Sequence, residues 1–163
     1  MSAARRFLIA GGMGLALLGM IYGGWYAVFA EHQELDQTGQ SLAASFRAAA
    51  ERNAPAAQDA LQKYREVKYD YDRHVDVHGH WVGLAMVLMV LGIGLDRMNF
   101  NEKVKALLAA GLVVGSFLFP LGVLLETLNH GSVPRAVAVA GSALVVVSLA
   151  GMTLGFARAQ ASN

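Results

Sequence analysis

Residues 70–97 read DYDRHVDVHGHWVGLAMVLMVLGIGLDR. A run of carboxylates and imidazoles passes directly into fifteen apolar residues, 81–95, which Asp96 and Arg97 close. A run of that length suits either a buried core helix or a short membrane span, because a hydrocarbon core of about 30 Å needs roughly 20 residues of helix. The flanking sequence decides between them. Residues 7–30, 106–125 and 136–157 are each long and apolar enough to span outright, and a fourth apolar segment among them completes an up-down-up-down bundle. With their polar ends the expected spans are 7–30, 77–97, 105–125 and 135–157. The fold expected is an all-α integral membrane protein, a single domain built as a four-helix transmembrane bundle with a helical extramembrane insert between its first two spans.

Composition agrees. Of 163 residues, 55% are hydrophobic and 15% charged, against roughly 25% charged in a soluble domain. Fifteen of the 18 glycines lie inside the apolar runs, where membrane helices tolerate them. The absence of cysteine excludes a disulfide scaffold, a Cys-ligated metal site and covalent c-type haem. A net charge of +1 gives no footing for nucleic acid. The lipid bilayer is the partner this composition implies.

Lys and Arg counts near the span ends are nearly even, six on the side of the termini and seven on the other. The first span breaks the tie, with Arg5 and Arg6 before it and Glu31, Glu34 and Asp36 after it. Both termini are therefore expected in the cytoplasm, in a multi-pass protein of a bacterial inner membrane. Residues 1–30 also resemble a signal peptide that ends at Val28-Phe29-Ala30. An apolar run of 24 residues with Trp25 and Tyr26 at its interfacial end favours an uncleaved anchor.

The polar segment is expected to form an outer helical hairpin over residues 38–76. Thr38 or Ser41 is a candidate cap for a helix in which Leu42, Phe46 and Ala49 share a face, and Asn53-Ala54-Pro55 ends it and starts the next. From there Ala57, Leu61, Tyr64, Lys68, Tyr71, Val75 and His78 recur at spacings of four and three. That stripe runs into the second span without a break.

In this topology His32, His74, His78, His80 and His130 all fall at outer helix ends. Asp70, Asp72, His74, Asp76, His78 and His80 place six potential ligands within eleven residues. Twenty residues of helix back from Asp96 reach Asp76 or Val77, which sets His78 and His80 just inside the outer boundary, where an ionisable side chain marks a functional candidate. On a helix, His74 and His78 stack on one side, and Asp76 and His80 on another, with the Asp76 carboxylate placed to orient the His80 imidazole. An extended strand would instead align all six on one face, and Gly79 permits a break. Glu126, four residues before His130, supplies a facing pair from the third span, and Pro120 is expected to kink that helix. The pairs Gly19/Gly23, Gly111/Gly115 and Gly151/Gly155 predict close helix association, within the bundle, with a membrane-protein partner or in a homo-oligomer. Met86 and Met89 read as packing residues. No Ser-His-Asp, Walker or zinc-protease pattern is present, so no catalytic residue is assigned and enzymatic activity is left open.

The stretch Val77-His78-Gly79-His80-Trp81-Val82-Gly83-Leu84-Ala85-Met86, followed by Gly92, resembles one helix of the catalytic subunit of haem–copper oxidases and nitric-oxide reductases. There a His-x-His at the outer end of a helix ligates two haems. The resemblance implies His80, with His78 beside it, as an axial ligand of a noncovalent haem, and His32 or His130 as the opposite ligand. The family's copper ligands and remaining helices have no counterpart here, so oxygen reduction is not implied. Two functions are carried forward. One is a membrane protein that binds a b-type haem or a transition-metal ion, copper or zinc, for electron transfer or metal handling. Cofactor ligands would be His78, His80, His130 and His32, and metal ligands His74, His78, His80, Asp76, Glu126 and His130. The other is a noncatalytic accessory or assembly subunit of a larger membrane complex.

Overall fold

The computed structural model describes residues 2–129 and 131–161. They form five α-helices, α1 (Ala3–Phe29), α2 (Glu31–Ala50), α3 (Ala54–Gly94), α4 (Glu102–Leu128) and α5 (Ser132–Ala161), with a 3-10 turn, Leu95–Arg97, extending α3. Four helical segments, Ala3–Phe29, Ala54–Arg97, Glu102–Leu128 and Ser132–Gln160, are long and apolar enough to cross a membrane. The chain divides into two compact units, one of Ile21–Val75 and the other of the residues up to Met20 together with those from Asp76 onward.

Within the first of these, α1 passes to α2 through Ala30 alone, whose carbonyl accepts from the Gln33 and Glu34 amides at 3.1 and 3.2 Å. The helix after the first span thus begins at Glu31, not at Thr38 or Ser41. Glu31 and Glu34 occupy its first turn, where the positive end of the helix dipole favours acids. The Thr38 hydroxyl, expected as a cap, donates to the Glu34 carbonyl at 2.7 Å, and that of Ser45 to the Leu42 carbonyl at 2.8 Å. Bonding back along a helix gives serine and threonine an alternative to capping. The end of α2 is a Schellman closure, with Asn53 N bonded to Ala48 O and Arg52 N to Ala49 O. Arg52 takes the left-handed position at φ 58° that glycine usually fills. Asn53 then caps α3 through its side-chain oxygen and the Ala56 amide, 3.2 Å, with Pro55 in the first turn as expected.

The buried stripe of α2 also differs from expectation. Phe46 is 68% exposed, while Ser41 and Ser45 are buried. Glu31, Glu34, Thr38 and Ala48 are partly covered on the same side, so the seam recurs at alternating spacings of three and four but is built mostly of polar residues. On α3 the expected stripe holds at Ala57, Leu61, Tyr64, Lys68 and Tyr71, all partly buried, and fails at Val75, which is exposed.

In the other unit the helices meet at glycines. A methyl group added at Gly122 would lie 2.6 Å from Ala138 Cα, and one at Gly115 would lie 2.8 Å from both Gly141 O and Leu144 Cβ. Gly111 faces Ser148, and Gly151 faces Leu108. These pairings run α4 antiparallel to α5. Gly12 against Ala85 and Leu88, Gly19 against Trp81 and Val82, and Gly92 against Leu8 and Ile9 do the same for α1 and α3. Gly19, Gly111, Gly115, Gly151 and Gly155 from the expected small-residue pairs are therefore all occupied by packing within the chain. Leu8, Leu88, Leu95, Leu112, Met152 and Pro120 are fully buried.

A substitution at these close approaches has no room to relax. Gly122→Leu drives a side chain into the α5 backbone, and overpacking of this kind costs about 1–3 kcal/mol or more. Thermal unfolding in detergent is expected at a clearly lower midpoint for Gly122→Leu and close to wild type for Gly83→Ala, since an added methyl at Gly83 meets nothing within 4 Å.

Candidate functional site

The alternating acids and histidines lie on the continuous helix α3, which excludes the extended-strand reading. At about 100° per residue a helix fans alternate positions around its axis. Asp72 points outward and takes the Lys68 ammonium at 2.5 and 2.7 Å. That bond raises the lysine above its ordinary pKa. Asp70 lines a cavity of about 280 Å³ together with Gln33, Glu34 and Gln37, and its Oδ1 is buried with no hydrogen-bond partner among the described residues.

His74 is the centre of a four-residue network. The Tyr22 hydroxyl lies 2.5 Å from His74 Nδ1, and Glu34 Oε1 lies 3.6 Å from Nε2. Glu34 Oε2 accepts a 2.7 Å bond from the Tyr26 hydroxyl, and the Tyr26 ring stacks on the imidazole at 4.9 Å between centroids. A carboxylate only accepts, so the neutral tautomer that suits this geometry carries hydrogen on Nε2 and receives the Tyr22 proton at Nδ1. His74 thus has a polar group facing each nitrogen, a hydrogen bond at Nδ1 and a longer 3.6 Å contact at Nε2. In the sequence Tyr26 and Glu34 mark only the end of the first span, and Tyr22 carries no site signal. Tyr22 and Tyr26 repeat at four, Glu31 and Glu34 at three, but nothing local ties either pair to His74.

His78 and His80 are held differently. His78 Nδ1 lies 2.9 Å from the Gly19 carbonyl oxygen and His80 Nδ1 lies 2.6 Å from that of Asp76. A carbonyl accepts, so each Nδ1 donates its hydrogen and each neutral ring carries its lone pair on Nε2. The Asp76 contact corrects an expectation. The oxygen that orients His80 is the backbone carbonyl one turn back, onto which the side chain of a helical residue folds. The His80 ring also meets the Phe119 ring edge-on, with centroids 4.8 Å apart. Both histidines are partly buried.

His32 is exposed on α2. Glu126 is partly buried near the end of α4, and His130 lies outside the described residues. Among the described residues no group of three or more His, Asp or Glu could hold a metal ion. No family model matches the chain, and neither does any curated protein or solved structure.

The network makes a stability prediction. His74→Phe keeps a ring against Tyr26 but removes the Tyr22–His74 hydrogen bond and the Glu34 contact, and losing a hydrogen bond of this kind costs about 0.5–1.5 kcal/mol. Amide hydrogen exchange across the first two turns of α2 is expected to accelerate about fivefold or more. His32→Phe, at an exposed position, is expected to leave it unchanged.

Proposed function

We propose that the four apolar helices form a transmembrane bundle with both termini in the cytoplasm and residues 31–76 as an extramembrane insert, and that the imidazoles of α3 hold a b-type haem, or a transition-metal ion, for electron transfer or metal handling. Membrane insertion is supported by how little the helices cover. No more than 39% of any of the four apolar windows is buried, and Leu17, Val90, Leu107 and Val147 are 63%, 67%, 73% and 67% exposed. So much outward apolar surface needs lipid or protein against it.

One observation carries the cofactor reading, the state of His78 and His80. In both rings the backbone takes Nδ1 and leaves Nε2 as the atom with a free lone pair, which is how ligating histidines are usually set. Haem fits this donor set better than a lone ion, because haem iron needs only two axial ligands and a structural or catalytic ion needs three or more from the protein. His80 or His78 would supply one axial nitrogen, and His32, His130 or a second copy of the chain the other. Bound haem would supply one-electron exchange at iron. The chain's own part is to fix each ring by its carbonyl and to surround His80 with the Phe119 edge.

A second observation favours the accessory-subunit reading. Gly79 and Gly83, one turn apart on α3, have nothing within 4 Å of the space a methyl would take, and Met86, Val90 and Ile93 are exposed. A partner helix would find a smooth apolar face there.

Because the chain has no cysteine, single substitutions report topology without background. Gln58→Cys is expected to react with a membrane-impermeant maleimide on intact cells, and Lys103→Cys only after disruption. Detergent-purified protein is expected to show the Soret and reduced-state bands of a low-spin b-type haem, natively or after reconstitution, with His80→Ala abolishing them. A colourless, metal-free preparation that stays so with haem, copper and zinc overturns the cofactor reading.

A further inference from the structure

At the opposite end of α3 from the histidines, the turn Leu95–Arg97, residues Met98 and Asn99 and the last turns of α5 enclose a cleft of about 690 Å³. Its lining has two characters. Arg97, Asn99 and Gln160 bring a guanidinium and two side-chain amides, while Gly94, Met98 and Phe156 provide an apolar wall. Gly94 matters to that wall, since a methyl there would sit 3.1 Å from the Phe156 ring.

Three of the other cations near this end have partners. Arg5 is paired with Asp96 at 3.1 Å, Lys105 with Glu102 at 3.2 Å, and the Arg158 guanidinium lies over the Phe100 ring at 5.5 Å. The carboxylate next to Arg97 in sequence is already used, because Asp96 also accepts from the Ser2 hydroxyl at 2.7 Å. Arg97 is exposed and has no ion pair or hydrogen bond among the described residues, and no acid lines the cleft. The cleft therefore offers one uncompensated guanidinium, two neutral amides and an apolar wall where the apolar run of α3 stops.

We propose that this cleft binds the phosphate headgroup of an anionic phospholipid, with Arg97 forked onto the phosphate, Asn99 and Gln160 as further donors, and the first acyl carbons against Phe156 and Met98. The chemistry recognised is a phosphate monoanion, for which a planar guanidinium is the natural partner. The apolar wall selects an amphiphile over free phosphate, which would gain nothing from it. The inference rests on the membrane-spanning reading above, which sets the closing Asp96 and Arg97 at headgroup depth.

The test is native mass spectrometry of the full chain in detergent, titrated separately with phosphatidylglycerol, phosphatidylcholine and inorganic phosphate. Wild type is expected to retain phosphatidylglycerol about fivefold better than phosphatidylcholine, in line with one basic residue acting on an anionic headgroup. Arg97→Gln is expected to remove that preference. Ala159→Phe fills the cleft while keeping Arg97, and should lose the adduct as well. Arg6→Gln, an exposed cation outside the cleft, should keep it. Full retention by Arg97→Gln, equal loss in Arg6→Gln, or displacement of the lipid by equimolar inorganic phosphate overturns the proposal, the last by making this a soluble-anion site. The lipid preference is read in detergent and the topology by maleimide labelling on cells, so failure of one is distinguishable from failure of the other.

Discussion

The constraint on which the rest depends is the close approach of helix backbones at glycine. When helices are apolar on every side, burial alone cannot choose which faces meet. Leu107 points outward and Leu112 inward on the same helix, and the two side chains are equally apolar. Shape chooses instead, since dispersion rewards contact at short range and falls off quickly with a gap. Gly122 beside Ala138 and Gly115 beside Gly141 set the register of α4 on α5, and Gly12, Gly19 and Gly92 set α1 on α3. The same packing makes part of the site. Only because Gly19 has no side chain does α3 come near enough for the His78 imidazole to reach the Gly19 carbonyl.

Helical continuity is the second determinant. Had residues 70–80 been extended, six ligands would share a face and could close on one ion. As part of α3 they are dealt out to different surroundings, with Asp72 to Lys68, His74 to Tyr22 and Glu34, His78 to Gly19 and His80 to its own helix and Phe119. What the arrangement supplies is a set of individually oriented imidazoles. His74 is engaged at both nitrogens, whereas His78 and His80 are engaged at one, so the three histidines of this run are not chemically equivalent.

The long apolar helices were legible in the sequence because hydropathy is summed over many residues and tolerates local error. The Asn53-Ala54-Pro55 break was legible because its signals are local. The start of α2 was not, since Thr38 and Ser41 carry the residue types of a cap while Thr38 bonds backward inside a helix already begun at Glu31. The seam of α2 escaped for a related reason. Apolar periodicity does not mark it, since Ser41 and Ser45 are buried while Phe46 is exposed. The Tyr22–His74 contact joins residues 52 positions apart, and no local pattern encodes such a pairing. The histidine run was legible as a candidate, but ring orientation was not. Whether a carboxylate or a carbonyl reaches an imidazole depends on its rotamer, and the sequence carries only the spacing.

The geometry of α3 limits how a haem could be held on the proposed reading. Residues two apart on a helix point about 200° from one another, so His78 and His80 cannot sit on opposite sides of one iron. Each would need an opposite ligand from elsewhere. His74 is a poor candidate, because ligation through Nδ1 displaces the Tyr22 hydroxyl and ligation through Nε2 meets the Glu34 carboxylate. That reasoning leaves His32 and His130 within the chain, or a histidine of a second copy. A second copy would also cover the open face of Gly79 and Gly83 on α3. The two proposed readings then share a requirement. A haem ligated between copies and an accessory subunit docked on a partner would each place another helix against that glycine pair.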